Sequence, residues 1–127
     1  MNRWAIGLVA LGGTLMVGTG LQAHHSVAGV YDLHTEVVLE GQLAKLNVRN
    51  PHSNIVLTVP NPDGTTTEWT LTTATVGALS RQGVTRTTLK PGEPLKVTVL
   101  PARNGDAAGF IRSLEFGDRG PIDLVIE

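Results

Sequence analysis

The sequence predicts an all-β domain, a small closed barrel of five to six strands with one short helix between strands three and four. Three observations lead there. Short apolar segments with strand-like alternation recur from Val37 onward. A Pro60-Asn61-Pro62-Asp63-Gly64 corner joins two of them. One helical stretch, bounded by Thr75 and Gly83, separates the first three segments from the rest. Closing such strands into a barrel removes the exposed edges that would otherwise invite aggregation.

The elements follow in order. His24 to Thr35 reads as an irregular lead-in. In the first strand Val37, Leu39, Gly41 and Leu43 hold one phase, and Ala44, Leu46 and Val48 hold the other. A strand changes face through an inserted or bent residue, and Gly41 is the expected place. Asn50-Pro51-His52 interrupts the pattern. Ile55, Leu57 and Val59 then alternate with Asn54, Val56 and Thr58 as a half-buried second strand. The corner at 60–64 turns the chain, because Pro presets φ and Asp-Gly supplies a positive-φ position. Thr67, Trp69 and Leu71 share one side of the third strand, which completes a hairpin.

Thr73 or Thr75 is placed to cap the helix, and Gly83 to stop it. Leu95, Val97 and Val99 mark the fourth strand. Phe110, Arg112, Leu114 and Phe116 alternate with Ile111, Ser113 and Glu115 in the fifth. Ile122 to Ile126 adds a short terminal strand. Five strands with a helix between the third and fourth is the order of the oligonucleotide/oligosaccharide-binding (OB) barrel; a small β-sandwich is the alternative.

The start of the chain reads as a secretory signal. Arg3 supplies the positive residue, Ala5 to Val17 runs without a charge, and Leu21-Gln22-Ala23 forms a cleavage edge. The apolar run is shorter than the roughly 20 residues of a spanning helix. Cleavage after Ala23 is expected, with Ala28 as a second candidate. Residues 1–23 are then the signal and 24–127 a single exported domain, periplasmic or secreted, that meets a membrane only through the signal. Removing 23 of the 127 residues leaves 104, enough for a core of its own. Arg3 leaves too, so nine basic side chains face eleven acidic ones. That balance gives no electrostatic footprint for nucleic acid. The absence of cysteine excludes disulfides, thiol catalysis and thiolate-bound metal.

A wider pattern runs through these residues: His24-His25-Ser26, Tyr31-Asp32, Val37-x-Leu39-x-Gly41, Asn50-Pro51-His52, Trp69, Ala78-Leu79-x-Arg81-x-Gly83, Leu89-Lys90-Pro91-Gly92 and the strand Val97 to Pro101. In content and order it resembles DUF6152, a family of small exported bacterial proteins of unknown function. The His-His-Ser start combined with Asn-Pro-His is its most specific part. The resemblance covers nearly the whole exported chain, although the segment between the second and third strands is this chain's own. It implies an exported β-rich domain with a signal ending just before His24, and it brings no established activity.

His24 and His25 are the sharpest chemical candidates. Cleavage after Ala23 would give His24 a free α-amine beside its imidazole, and the two can chelate one metal. Imidazole and amine nitrogens suit Cu(II), Ni(II) or Zn(II), with copper the tightest. An α-amine pKa of about 7.7–8.0 permits binding near neutral pH. His25 adds a second imidazole and His52 a third. His34 is a substitute ligand, and Asp32 a source of oxygen.

Asn50 and Trp69 are candidate ligand-binding positions, on the rim between strands one and two and on strand three. The phase of Trp69 with Leu71 also fits a core role. Tyr31, Trp69, Phe110 and Phe116 are the only aromatics after residue 23, too few for a base-stacking platform. Arg81, Arg86 and Lys90 cluster around the helix exit and read as a solvated face that complements the helix C-terminus. No nucleophile–base–orienter set, paired carboxylate site or phosphate loop is present, so an enzyme is not expected.

The expected function is a small-ligand-binding module that takes copper or another divalent metal through His24, His25 and His52. The alternative is a structural or interaction domain that docks a protein or glycan through its barrel face.

Overall fold

The computed structural model describes residues 27–124. β1 (Val37–Asn47) is the longest strand, and two neighbours share it. Its first half pairs antiparallel with β4 (Pro94–Pro101), from Val37↔Val99 to Gln42↔Pro94. Its second half pairs with β2 (Asn54–Pro60), from Gln42↔Thr58 to Asn47↔Asn54. One strand can serve two neighbours only if it coils, and its residues show how.

The bulge expected at Gly41 sits instead between Leu43 and Lys45. Gly41 answers a different demand: a β-carbon there would run into the Thr58 carbonyl oxygen. The glycine lets β1 pass close to β2, and the extra residue at Ala44 restores the inward phase. Leu39 and Leu43 are buried, and Leu46 packs against the same core after the bulge.

β2 and β3 (Thr66–Thr72) form the expected hairpin, with Pro60↔Thr66 nearest the corner. Gly64 takes φ +87°, and the Asp63 carboxylate accepts from the Thr65 amide at 2.9 Å. The helix follows as α1 (Val76–Arg81). Thr75 caps it by accepting from the Ala78 amide, and Gly83 leaves it at φ +76°. Leu79 on the helix, with Val84 and Leu89 beyond it, joins the barrel core. A six-residue helix cannot hold itself in water, so this anchorage sustains it.

β4 runs antiparallel to β5 (Ala108–Phe116). The simple alternation expected for β5 does not hold. A register shift between Thr98 and Val99 pairs Val99 with Ile111 and Thr98 with Ser113. Arg112 becomes the extra residue, so Ile111 and Leu114 both point into the core. Phe110 is buried outside that central cluster. β6 (Ile122–Asp123) pairs with β5 at Leu114↔Ile122 and Ser113↔Asp123.

Closure comes from β3 and β5, which pair in parallel over Thr70↔Ala108, Leu71↔Gly109 and Thr72↔Phe110. Going round the wall, the strands read β1-β2-β3-β5-β4 and return to β1. That ring, with a helix between β3 and β4, is the OB arrangement. One continuous sheet replaces the two facing layers a sandwich would need. Among the described residues no helix is long and apolar enough to cross a membrane.

Candidate functional site

The loop joining β1 to β2 carries His52, and its shape is set from below. Ser53 is fully buried. Its hydroxyl accepts from the Arg49 amide at 3.1 Å and donates to the Arg49 carbonyl at 3.3 Å. The Ser53 carbonyl accepts from the Thr73 amide at 2.9 Å. Asn47 Nδ2 donates to Asn54 Oδ1 at 2.7 Å across the loop base. These bonds fix the place where residues 50–52 leave the wall.

His52 is half-buried and meets the ring of Phe110 edge-on, centroid to centroid 6.5 Å. Tyr31 meets the same Phe110 ring at 5.8 Å. The Tyr31 hydroxyl lies 3.0 Å from Thr72 Oγ1. The register explains the convergence: Asn54 pairs with Thr72 and Thr72 with Phe110, so the starts of β2 and β5 flank the end of β3. Histidine, tyrosine and phenylalanine therefore gather over the seam that closes the barrel.

His52 Nδ1 is buried without a hydrogen-bond partner among the described residues. A buried polar atom in that state costs about 1–3 kcal/mol relative to a satisfied one. The ring thus brings an unused nitrogen to a partly apolar wall.

The segment before β1 is tied down beside this ring cluster. Residues 27–30 are helical, so the lead-in is not irregular throughout. The Tyr31 amide donates to the Val27 carbonyl at 2.8 Å. Arg103 holds the segment twice, from Nε to the Ala28 carbonyl and from its amide to the Val30 carbonyl, both at 2.9 Å. The Asp32 amide donates to the Pro101 carbonyl at 2.9 Å, and Tyr31 bridges Ala102.

Of the expected metal ligands only His52 falls within the described residues; His24, His25 and the cleavage edge lie outside them. His34 is exposed. Asp32 is engaged in its own turn, where its carboxylate accepts from the Thr35 hydroxyl at 2.7 Å and the His34 amide at 3.0 Å. Those bonds, the hydroxyl first, hold its pKa below the ordinary carboxylate value. Among the described residues no three His, Asp or Glu side chains gather as a metal cluster.

Asn50 is exposed, joined to Pro51 by a cis peptide bond. Trp69 is half-buried and packs against the central core. Trp69 therefore spends much of its ring on the core, while Asn50 stands in the open loop. What sequence reasoning missed is the Tyr31–Phe110–Thr72 surround of His52. The OB order carried the signal, since it sets the end of β3 against the start of β5.

A family model described as "Family of unknown function (DUF6152)" matches residues 13–112. The chain belongs to that family. The DUF6152 match spans β1 to β4 and the first half of β5, up to Arg112, and includes His24, His25, His52 and Trp69. Among solved structures, this DUF6152 protein is similar to the dimeric N-terminal domain of PriB from Thermoanaerobacter tencongensis. The two are 17% identical with a TM-score of 0.49, over 68% of this chain and 99% of that one. No curated protein matches the chain.

Proposed function

We propose that this DUF6152 protein is an exported, non-enzymatic binding module. Its ligand is a divalent metal, copper first, held by the α-amine and imidazole of His24 with His25 and His52. The observation that supports the reading is the unpartnered Nδ1 of His52 beside the docked lead-in. With Nδ1 shut away from solvent, Nε2 is the ring nitrogen that would meet the metal. Metal ligation at one ring nitrogen also sets the tautomer at the other, and so changes what that buried atom can do.

The reach of the chain fits. Tyr31 and His52 both contact one phenyl ring, at centroid distances of 5.8 and 6.5 Å. His25 precedes Tyr31 by six residues, and because residues 27–30 are helical the segment spans at most about 13 Å. That length is of the same order as the spacing of Tyr31 and His52 about the Phe110 ring, which keeps the first residues of the exported chain within reach of His52. The donor set is all nitrogen, which copper(II) prefers over the harder divalent ions.

Two measurements test this. Terminal sequencing of the exported protein should return His24 as the first residue; Gly29 there would remove the chelating amine and the proposal with it. Calorimetric titration with Cu(II) should show one tight site. His24→Ala and His52→Ala should each weaken it at least tenfold. Unchanged affinity in both variants refutes the metal reading and leaves docking of a protein or glycan on the barrel face.

A further inference from the structure

A second feature lies away from the histidines. Between the end of β1 and α1 opens a cleft of about 280 Å³, walled by Val48, Val76 and Val84. Ser80, Arg86 and Thr87 stand around it. Arg86 is held in place: its Nη2 donates to the Val48 carbonyl at 3.0 Å. That single bond uses one of five guanidinium N–H groups and leaves the others for a ligand.

The stretch of chain that carries most of the cleft's lining bears charge of one sign. From Trp69 to Gly92 the chain holds Arg81, Arg86 and Lys90 and not one carboxylate. Arg119 adds a fourth cation: its Nη1 would lie 3.3 Å from a β-carbon at Gly83. Among the described residues the ion pairs are Lys96–Glu40 and Arg112–Glu36, so Arg86 is not neutralised by a carboxylate. A chain with a net negative charge thus concentrates cations beside an apolar hollow.

The geometry points to a binding site for a short aliphatic monocarboxylate, its chain between the three valines and its carboxylate on Arg86. Guanidinium and carboxylate match as a bidentate pair, and the hydroxyls of Ser80 and Thr87 offer further donors. A volume near the lower end of ligand pockets selects a small molecule over a large one. This site shares no residue with the proposed metal site and stands or falls without it.

Sodium hexanoate is the probe, added to the mature protein in the presence of a metal chelator and followed by amide NMR shifts. Saturable shifts are expected at Val76, Ser80, Val84 and Arg86, unchanged in His52→Ala. Hexan-1-ol should bind at least tenfold more weakly, and Arg86→Gln should weaken hexanoate by a similar factor. Because Arg86→Gln also removes the bond to Val48, Ser80→Leu serves as a second variant. It fills the cleft from an exposed helix position, leaves Arg86 intact and should abolish binding. Shifts that never saturate, equal affinity for the alcohol, or full affinity in both variants would overturn the assignment.

Discussion

The hydroxyl of Tyr31 reaches Thr72 Oγ1 at 3.0 Å, tying the segment before β1 to the end of β3, forty-one positions away. The bond is part-buried and links two elements that no strand pairing joins. Tyr31→Phe keeps the ring on Phe110 and removes only the hydroxyl, so about 1 kcal/mol should be lost. Tyr31→Ala also removes the ring packing and should cost more, about 2–3 kcal/mol given its partial burial. Urea denaturation checks both. Hydrogen exchange at the Asp32 amide should quicken in Tyr31→Ala; equal protection in the two variants would show that the ring does not hold the lead-in.

Gly41 makes the sharpest stability prediction. A methyl group there meets backbone, the Thr58 carbonyl, which cannot rotate away as a side chain can. Gly41→Ala should cost more than about 2 kcal/mol, through displacement of β1 from β2. A thermal melt indistinguishable from that of the parent protein would disprove the close approach.

His52 should trade stability for binding. With Nδ1 buried and unpartnered, His52→Leu removes an unsatisfied polar atom while keeping apolar contact with Phe110. The metal-free variant is expected to be as stable as the parent or more stable by about 1 kcal/mol. Copper should then raise the melting temperature of the parent but not of the variant. A metal-free variant that melts well below the parent would mean that the imidazole has a structural partner.

Asp32 makes the turn at 32–35 sensitive to acid. Its carboxylate is stabilised in the ionised form, chiefly by the Thr35 hydroxyl and then by the His34 amide. A folded-state pKa lower than the unfolded one means the contribution is fully present above the unfolded value. It is lost as pH falls through the folded value. Thr35→Val should therefore raise the Asp32 midpoint in a carboxyl-carbon NMR titration. A midpoint that stays put would assign the shift to the amide alone.

The strands were readable because their alternation is clean wherever one register runs uninterrupted, as in Leu95, Val97 and Val99. Where two strands share a neighbour, the pattern misled. Ala44 and Arg112 are both inserted residues, and nothing in either side chain announces a bulge. Gly41, the place where alternation alone puts the bulge, is a glycine for closeness to Thr58 and not for an insertion. The helix was legible from its punctuation, Thr75 and Gly83. His52 was visible as a candidate from its type alone. Its neighbours Tyr31 and Phe110 were not, because only the closed wall sets them side by side, across long stretches of chain. The cleft beside Arg86 is hidden for the same reason: Val48 follows β1, Val84 follows α1, and the two meet only in the folded barrel.

The wall of the barrel is fastened at its briefest joint by just three residue pairs between β3 and β5. Tyr31 and His52 both sit on that joint through Phe110 and Thr72. Contacts made through these two side chains therefore act as rivets where the ring has the fewest pairs to spare.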